Sequence, residues 1–327
     1  MAPAPLFDML GGFSFYIISA AANLNLFEML NKKEMTAADL ATETGTDKNG
    51  FTVLLECLES LGYVKKKNGR YGITKMTSKW CLDSSAVNFK HAFDYYHLTM
   101  MDIWPHLSES VRAGKEHINF YDWLKDKPAT AGSYQKFMMS LAAMNIPDIL
   151  KKISLKKEKV LDIGGSHGLY SISLSRKFRD IEVTVIDSEY SMPLLKTTIE
   201  SEGLNDRVHT VTADFMNHTF KYGFDAILLF NVIHEHKEDY NLAIIEKIYN
   251  SLNPGGRVII LESTADRKIL PSSDFAVKMY SLLFFHFLGG RNYSSSEINS
   301  WLKKCGFRKI KRKSIYKSGF TIIEAWK

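Results

Sequence analysis

The stretch Lys159–Glu189, KVLDIGGSHGLYSISLSRKFRDIEVTVIDSE, decides how the rest of this 327-residue chain is read. It opens on a short apolar run, Val160 to Ile163, which predicts a buried strand of a parallel sheet. Gly164, Gly165 and Gly168 predict a turn whose backbone can approach a ligand closely, because no Cβ stands in the way. Leu169 to Phe178 has helical spacing, and Val183 to Ile186 is a second buried strand ending on Asp187. The unit is strand, loop, helix, strand, with an acidic residue at the tip of its second strand.

A dinucleotide loop has the spacing G-x-G-x-x-G. With Gly165 and Gly168 as the last two glycines, Ile163 stands where the first belongs. With Gly164 as the middle one, His167 stands at the end. Neither register fits, and the pattern is D-x-G-G-x-x-G. Asp162, or the backbone carbonyls beside it, suits an amino-acid ammonium, and Asp187 suits ribose hydroxyls. S-adenosylmethionine has both ends, and the stretch resembles the first two cofactor motifs of the class I methyltransferases. A glycine turn in an ordinary α/β unit with no ligand is the competing reading.

Apolar residues make up 45% of the chain and charged ones 24%, as in a soluble globular protein, and the net charge is +6. The basic excess gathers late, from Lys303 to Lys313, and reads as a solvated face rather than a nucleic-acid patch. Three cysteines without metal-type spacing point to a reducing compartment, so a cytoplasmic location is expected. The apolar stretch Gly11 to Ala22 reads as too short to cross a membrane and as a buried or dimer-forming helix.

Three segments are expected: 1–84, 85–153 and 154–327. In the first, Phe13 to Leu30 has helical periodicity and more apolar surface than a small domain needs, so it should pack across a two-fold axis. Two short helices follow, and then a hairpin turned at Asn68-Gly69, which together make a winged helix. Its second helix carries Glu56 and Glu59, which would repel phosphate, so a structural or dimerising role is preferred to DNA reading. The segment 85–153 reads as helical and dense in Met and aromatic residues. These suit core packing, and some of them an apolar substrate wall.

The third segment alternates strands and helices, which predicts a doubly wound α/β sheet closing on an antiparallel pair around Lys317-Ser318-Gly319. Asp162, Asp187, Asp214, His234 and Glu262 all stand at predicted strand tips and should converge on one crevice. His234 and His236 form an H-x-H pair, but no Cys or third His is placed to complete a metal site, so no metal is expected.

With DIGGSHG, VIDSE, ADF, NVIHEH, LNPGGRVIILE and GGRNYSSSEINSWLKKCGF in that order, nearly the full chain resembles the family 2 O-methyltransferases. That group contains plant caffeate-type, animal acetylserotonin and bacterial polyketide-tailoring enzymes. The resemblance implies a Rossmann-like fold, an intertwined homodimer and S-adenosylmethionine as cofactor. It implies cofactor contacts at Gly164, at Asp187 for the ribose and at Asp214 with Phe215 for adenine, and catalysis by His234 with Glu262 beside it; Asp162, Gly165 and Asn231 are expected to join the cofactor contacts. Met138 matches a methionine of the family's substrate wall, and the Met and aromatic density continued by Met279, Leu283, Phe284 and Phe287 suggests a flat, apolar acceptor, so Leu283, Phe287 and Asn292 are expected as substrate residues with Met138.

The chain departs from the family at three places. The usual HDW reads His234-Glu235-His236, the basic residue often found just before it is replaced by Phe230 and Asn231, and Asn292 stands where a second glutamate is expected. A phenol, with a pKa of about 10, needs a base at neutral pH, and histidine near 6.5 suits the task. The expected activity is methylation of a hydroxyl on a small, flat, apolar acceptor of aromatic or polyketide type. Methylation of carbon on the same fold is the alternative, and a winged-helix regulator that binds the cofactor without catalysis is a third reading.

Overall fold

The computed structural model describes residues 4–266, 271–315 and 319–327. It divides into two units: one of residues up to Asp102 with Lys127–Ala143, the other of Ile103–Asp126 with Met144–Lys327. The stretch 85–153 is therefore shared between them.

The first unit opens with the helix Ala4–Asn23, then the helix Leu26–Lys32. One helix over 13–30 was expected. Asn25 interrupts it, with φ 53 in the left-handed region that a short polar side chain tolerates. The first helix also starts earlier than its periodicity indicated, because Pro5 is tolerated in an opening turn. Pro5–Asn23 is in consequence long and apolar enough to cross a membrane by length and composition, which corrects the reading of this stretch as too short. Next comes the helix Ala37–Thr44, opened by a Thr36–Asp39 capping box and closed by Gly45 at φ 66. Asp47 caps the helix Lys48–Ser60. Strands β1 (Val64–Lys67) and β2 (Arg70–Ile73) then pair antiparallel. The turn residues Asn68 and Gly69 have φ 50 and 75, as a two-residue hairpin requires. Leu26, Leu40, Leu55, Leu58 and Tyr71 form its buried centre, which is the winged-helix arrangement expected.

The second unit is built on seven strands: β3 (Lys159–Ile163), β4 (Glu182–Asp187), β5 (Val208–Thr212), β6 (Phe224–Phe230), β7 (Leu252–Glu262), β8 (Arg308–Ile315) and β9 (Phe320–Trp326). Their order is β5-β4-β3-β6-β7-β9-β8. The first five in this order run parallel, while β9 runs antiparallel to both β7 and β8. The expected antiparallel finish is present, although Lys317 and Ser318 lie outside the described residues. Strand order reverses between β3 and β6, and open α/β sheets bind ligands beyond the carboxyl ends of their strands at such a point. Ile163, Ile227, Leu229 and Ile260 fill the sheet, packed against Ile244, Ile248 and Trp301 from the flanking helices.

Candidate active site

Three loops of the second unit meet at Gly164. A Cβ built there would come within 2.8 Å of Val232 Cγ2, on the turn after β6, and 3.9 Å of Phe215 Cε1, on the loop after β5. The other two loop glycines are required by the protein's own packing. At Gly165 the added atom would lie 2.4 Å from Val185 Cγ1 and 2.7 Å from Asp162 Oδ2, and at Gly168 2.4 Å from Leu195 Cδ1. Gly164 and Gly168 also have φ of 71 and 75.

Asp162 lies beneath this loop. It is 1% exposed, and its Oδ2 accepts from Ser171 Oγ at 2.5 Å. Burial pushes its carboxyl up to about 7. Asp187, at the end of β4, accepts from Ser166 N at 2.8 Å through Oδ2 and from Ser188 N at 2.7 Å through Oδ1. It ties the glycine loop to the tip of β4, and a carboxylate with about four lone-pair sites can still accept from a ligand. Asp214 is exposed, with Oδ1 accepting from Met216 N at 2.9 Å and Oδ2 from Asn217 Nδ2 at 2.6 Å. Asn231 has φ 58, its side chain meets Tyr170, and its N–H donates to Leu261 O at 2.9 Å. Like Asn25, Asn231 has the short polar side chain that the left-handed region tolerates, and it turns the chain at the sheet's ligand end. A glycine cradle with an acidic acceptor at one side and an aromatic ring beside it fits S-adenosylmethionine.

His234 sits on the one-turn helix Ile233–Glu235 after β6. Its Nδ1 lies 2.7 Å from Glu262 Oε2, and Glu262 Oε1 accepts from Ile233 N at 2.8 Å. Glu262, 2% exposed at the end of β7, thus holds both the imidazole and the backbone that carries it. With Nδ1–H donating to the carboxylate, Nε2 keeps the lone pair. Burial alone would lower the His234 pKa, but the charge and hydrogen bond of Glu262 outweigh it, and the pKa is raised. The imidazole stacks on Phe284, with centroids 3.9 Å apart and planes 23° from parallel.

The residues beside His234 differ in character. Burial pushes Glu235 up to about 7, and its Oε1 accepts from Tyr121 Oη at 3.0 Å. His236 is pushed by burial down to about 4, so it is neutral, and it stacks on Tyr240 at 3.9 Å. Among the described residues no group of three or more His, Cys, Asp and Glu is disposed to hold a metal ion.

The substrate residues are dispersed. Leu283 and Phe287 lie on the helix Pro271–Leu288, both buried, and Phe287 packs against Trp104 at 5.7 Å and Phe120 at 5.6 Å. From that aromatic run it is Phe284 that meets His234. Asn292 is 2% exposed; its Nδ2 donates to Val277 O at 3.0 Å and its N–H to Ser281 Oγ at 3.1 Å. Met138 belongs to the first unit, half-buried on the helix Pro128–Lys152. Glu235 and Tyr121 were not among the expected site residues, and no spacing links them across more than a hundred positions.

Comparison with known proteins places the chain in a family. An O-methyltransferase domain model matches residues 104–308, and an O-methyltransferase dimerisation domain model matches residues 8–84. An L-tyrosine C(3)-methyltransferase of Streptomyces lavendulae is 26% identical, over 91% of this chain and 85% of its own. A 3-hydroxy-5-methyl-1-naphthoate 3-O-methyltransferase of Streptomyces sahachiroi is 24% identical, over 90% and 86%. Human N-acetylserotonin methyltransferase, solved with S-adenosylmethionine, has the same fold, with a TM-score of 0.85 at 20% identity over 100% of this chain and 99% of that one. With a catalytic and a dimerisation model both matched in the family's order, the chain belongs to the S-adenosylmethionine-dependent O-methyltransferases.

Proposed function

We propose that the protein methylates a hydroxyl of a small, flat, apolar aromatic or polyketide-type acceptor, with His234 as general base. The observation that carries this is the Glu262–His234 pair at 2.7 Å, which engages Nδ1, leaves the lone pair on Nε2 and stabilises the imidazolium it becomes. When bound, S-adenosylmethionine supplies a methyl carbon already made electrophilic by its sulfonium. The chain does the rest. The backbone at Asp162 with Gly164 and Gly165 takes the amino-acid end, Asp187 the ribose, and Asp214 with Phe215 the adenine, while Asn231 orders the turn between loop and base. His234 Nε2 takes the acceptor's proton, and Glu262 holds the ring in one tautomer. Phe284 covers one ring face and keeps water from it.

In this reading residues 1–84 dimerise, 85–153 contribute the substrate wall with Met138, and 154–327 bind the cofactor. The protein works as a cytoplasmic homodimer, without metal, nucleic acid or membrane. Free Cys57, Cys81 and Cys305 agree with a reducing compartment. Leu283, Phe287 and Asn292 shape the acceptor chamber from behind Phe284.

Carbon methylation is the second reading, favoured by the Streptomyces lavendulae relative, which acts at a ring carbon of tyrosine. Removing a phenol's proton makes the ortho carbon nucleophilic, so the same base serves either outcome. A panel of phenols, followed by release of S-adenosylhomocysteine and by NMR of the product, separates the two. His234→Ala should lower the rate by roughly 10²–10⁴ and leave cofactor affinity nearly unchanged. Full activity in that variant would remove His234 as the base.

A further inference from the structure

The loop that follows β5 is held from behind by one lysine. Lys247, on the helix Glu238–Ser251, donates from Nζ to Phe215 O at 2.9 Å, Met216 O at 2.6 Å and His218 O at 2.7 Å. Its ammonium also lies 4.7 Å from the centroid of Phe220. An ammonium has three N–H donors, and all three are spent on carbonyls of this one loop. Lys247 is half-buried, and among the described residues it forms no ion pair. Within the loop Asp214 accepts from Met216 N and Asn217 Nδ2, and His218 N donates to Asp214 O, while at its ends Ala213 N donates to Asp187 O and Gly223 N to Ser251 O, and the Phe215 ring meets His236 at 6.2 Å.

We propose that Lys247 is a positioning residue for cofactor binding, fixing Asp214 and Phe215 in the place where the nucleoside end is held. The inference rests on the assignment of those two residues to adenine in the proposed function. A half-buried cation aimed at three neutral carbonyls is an uncommon use of a lysine, since charge taken from water needs hydrogen bonds to offset it. The arrangement also selects the residue type. A compact ammonium can direct three donors from one point toward three converging carbonyls, whereas the planar fork of a guanidinium cannot. Without those bonds the stretch 215–218 loses its Lys247 hydrogen bonds to the neighbouring helix, keeps only the apolar packing of Phe215 and Met216, and loosens locally. The cost of ordering it then falls on the cofactor, which weakens binding. His234 and Glu262 stand on other loops, so the chemical step is untouched once the cofactor is saturating.

The test uses full-length Lys247→Met, with Asp214→Ala beside it. Calorimetry with S-adenosylhomocysteine should show about ten-fold or weaker binding for Lys247→Met. The KM for S-adenosylmethionine should rise alike, with kcat changed by less than about three-fold. Hydrogen exchange of amides 215–219 in the ligand-free protein should speed up selectively. Lys247→Gln, which keeps two donors on a shorter arm, should fall between, and it serves if the methionine variant does not fold. Wild-type affinity in Lys247→Met or Lys247→Gln with weakened Asp214→Ala overturns the role of Lys247, as does a fall in kcat at unchanged affinity. Wild-type affinity in Asp214→Ala overturns the nucleoside assignment, and the inference with it.

Discussion

His234 must be neutral to accept a proton, and its raised pKa fixes the direction of the pH dependence. Activity should rise with pH, with a midpoint above the ordinary histidine value of about 6.5. In Glu262→Gln the carboxylate charge that raises the pKa is gone and burial remains. The midpoint should therefore move to lower pH while the plateau falls, by up to about 10² for a weaker and less firmly oriented base. A pH profile of kcat/KM on one phenol checks both, and a midpoint moving upward would contradict the assignment. The neighbouring carboxyl, Glu235, near 7 and bonded to Tyr121, is a second group that titrates in the working range. The profile should be fitted with two groups for that reason. The candidate base, His234, was legible in the sequence at this scale. Tyr121 was not, because a contact across 114 positions has no local signature.

At the scale of elements, the helix Pro271–Leu288 brings Phe284 to His234, and the segment after it pins it in place. Asn292 does the pinning, through Nδ2 to Val277 O and N–H to Ser281 Oγ. Family resemblance alone suggests that Asn292→Glu would restore a missing carboxylate and raise activity. The structure argues the opposite. The substitution removes the donor to the Val277 carbonyl and places a charge at a site 2% exposed. Stability should fall by about 1–3 kcal/mol or more, measured by urea denaturation, with no gain in rate. A variant as stable as the parent and more active would show that the second carboxylate is tolerated after all. The glycine loop belongs to this scale too. Its three glycines were legible as a ligand turn, yet Val185, Leu195 and Val232, which forbid a Cβ there, come from three other elements.

For the whole molecule, the helix Ala4–Asn23 leaves Leu6, Phe7, Met9, Leu10 and Phe13 exposed, with Phe7 and Phe13 each at 58%. Burying such a face stabilises by about 25 cal/mol per Å² of apolar surface, enough to hold two chains together once several large side chains take part. Sedimentation at micromolar concentration should give a dimer, and Phe7→Asp with Phe13→Asp should shift it toward monomer. A stable monomer in the parent protein would contradict the two-fold packing. Vesicle flotation separates that outcome from membrane association, which a helix of this length and composition would also permit.

The sequence by itself determined the strand order's raw material, the α/β alternation, the glycine loop after β3, the hairpin at Asn68-Gly69 and the candidate histidine at the tip of β6. Each rests on local physics: apolar period, glycine where φ is positive, and polar residues at strand ends. Tertiary structure alone decided what each of those groups touches. Asp162 went beneath the loop to Ser171, Glu262 to His234 and Ile233 together, and Phe284 rather than Phe287 to the imidazole. The aromatic run Phe284-Phe285-His286-Phe287 offers one ring to each direction around its helix. Only the packing of strands and neighbouring helices around that run selects which ring faces the chemistry.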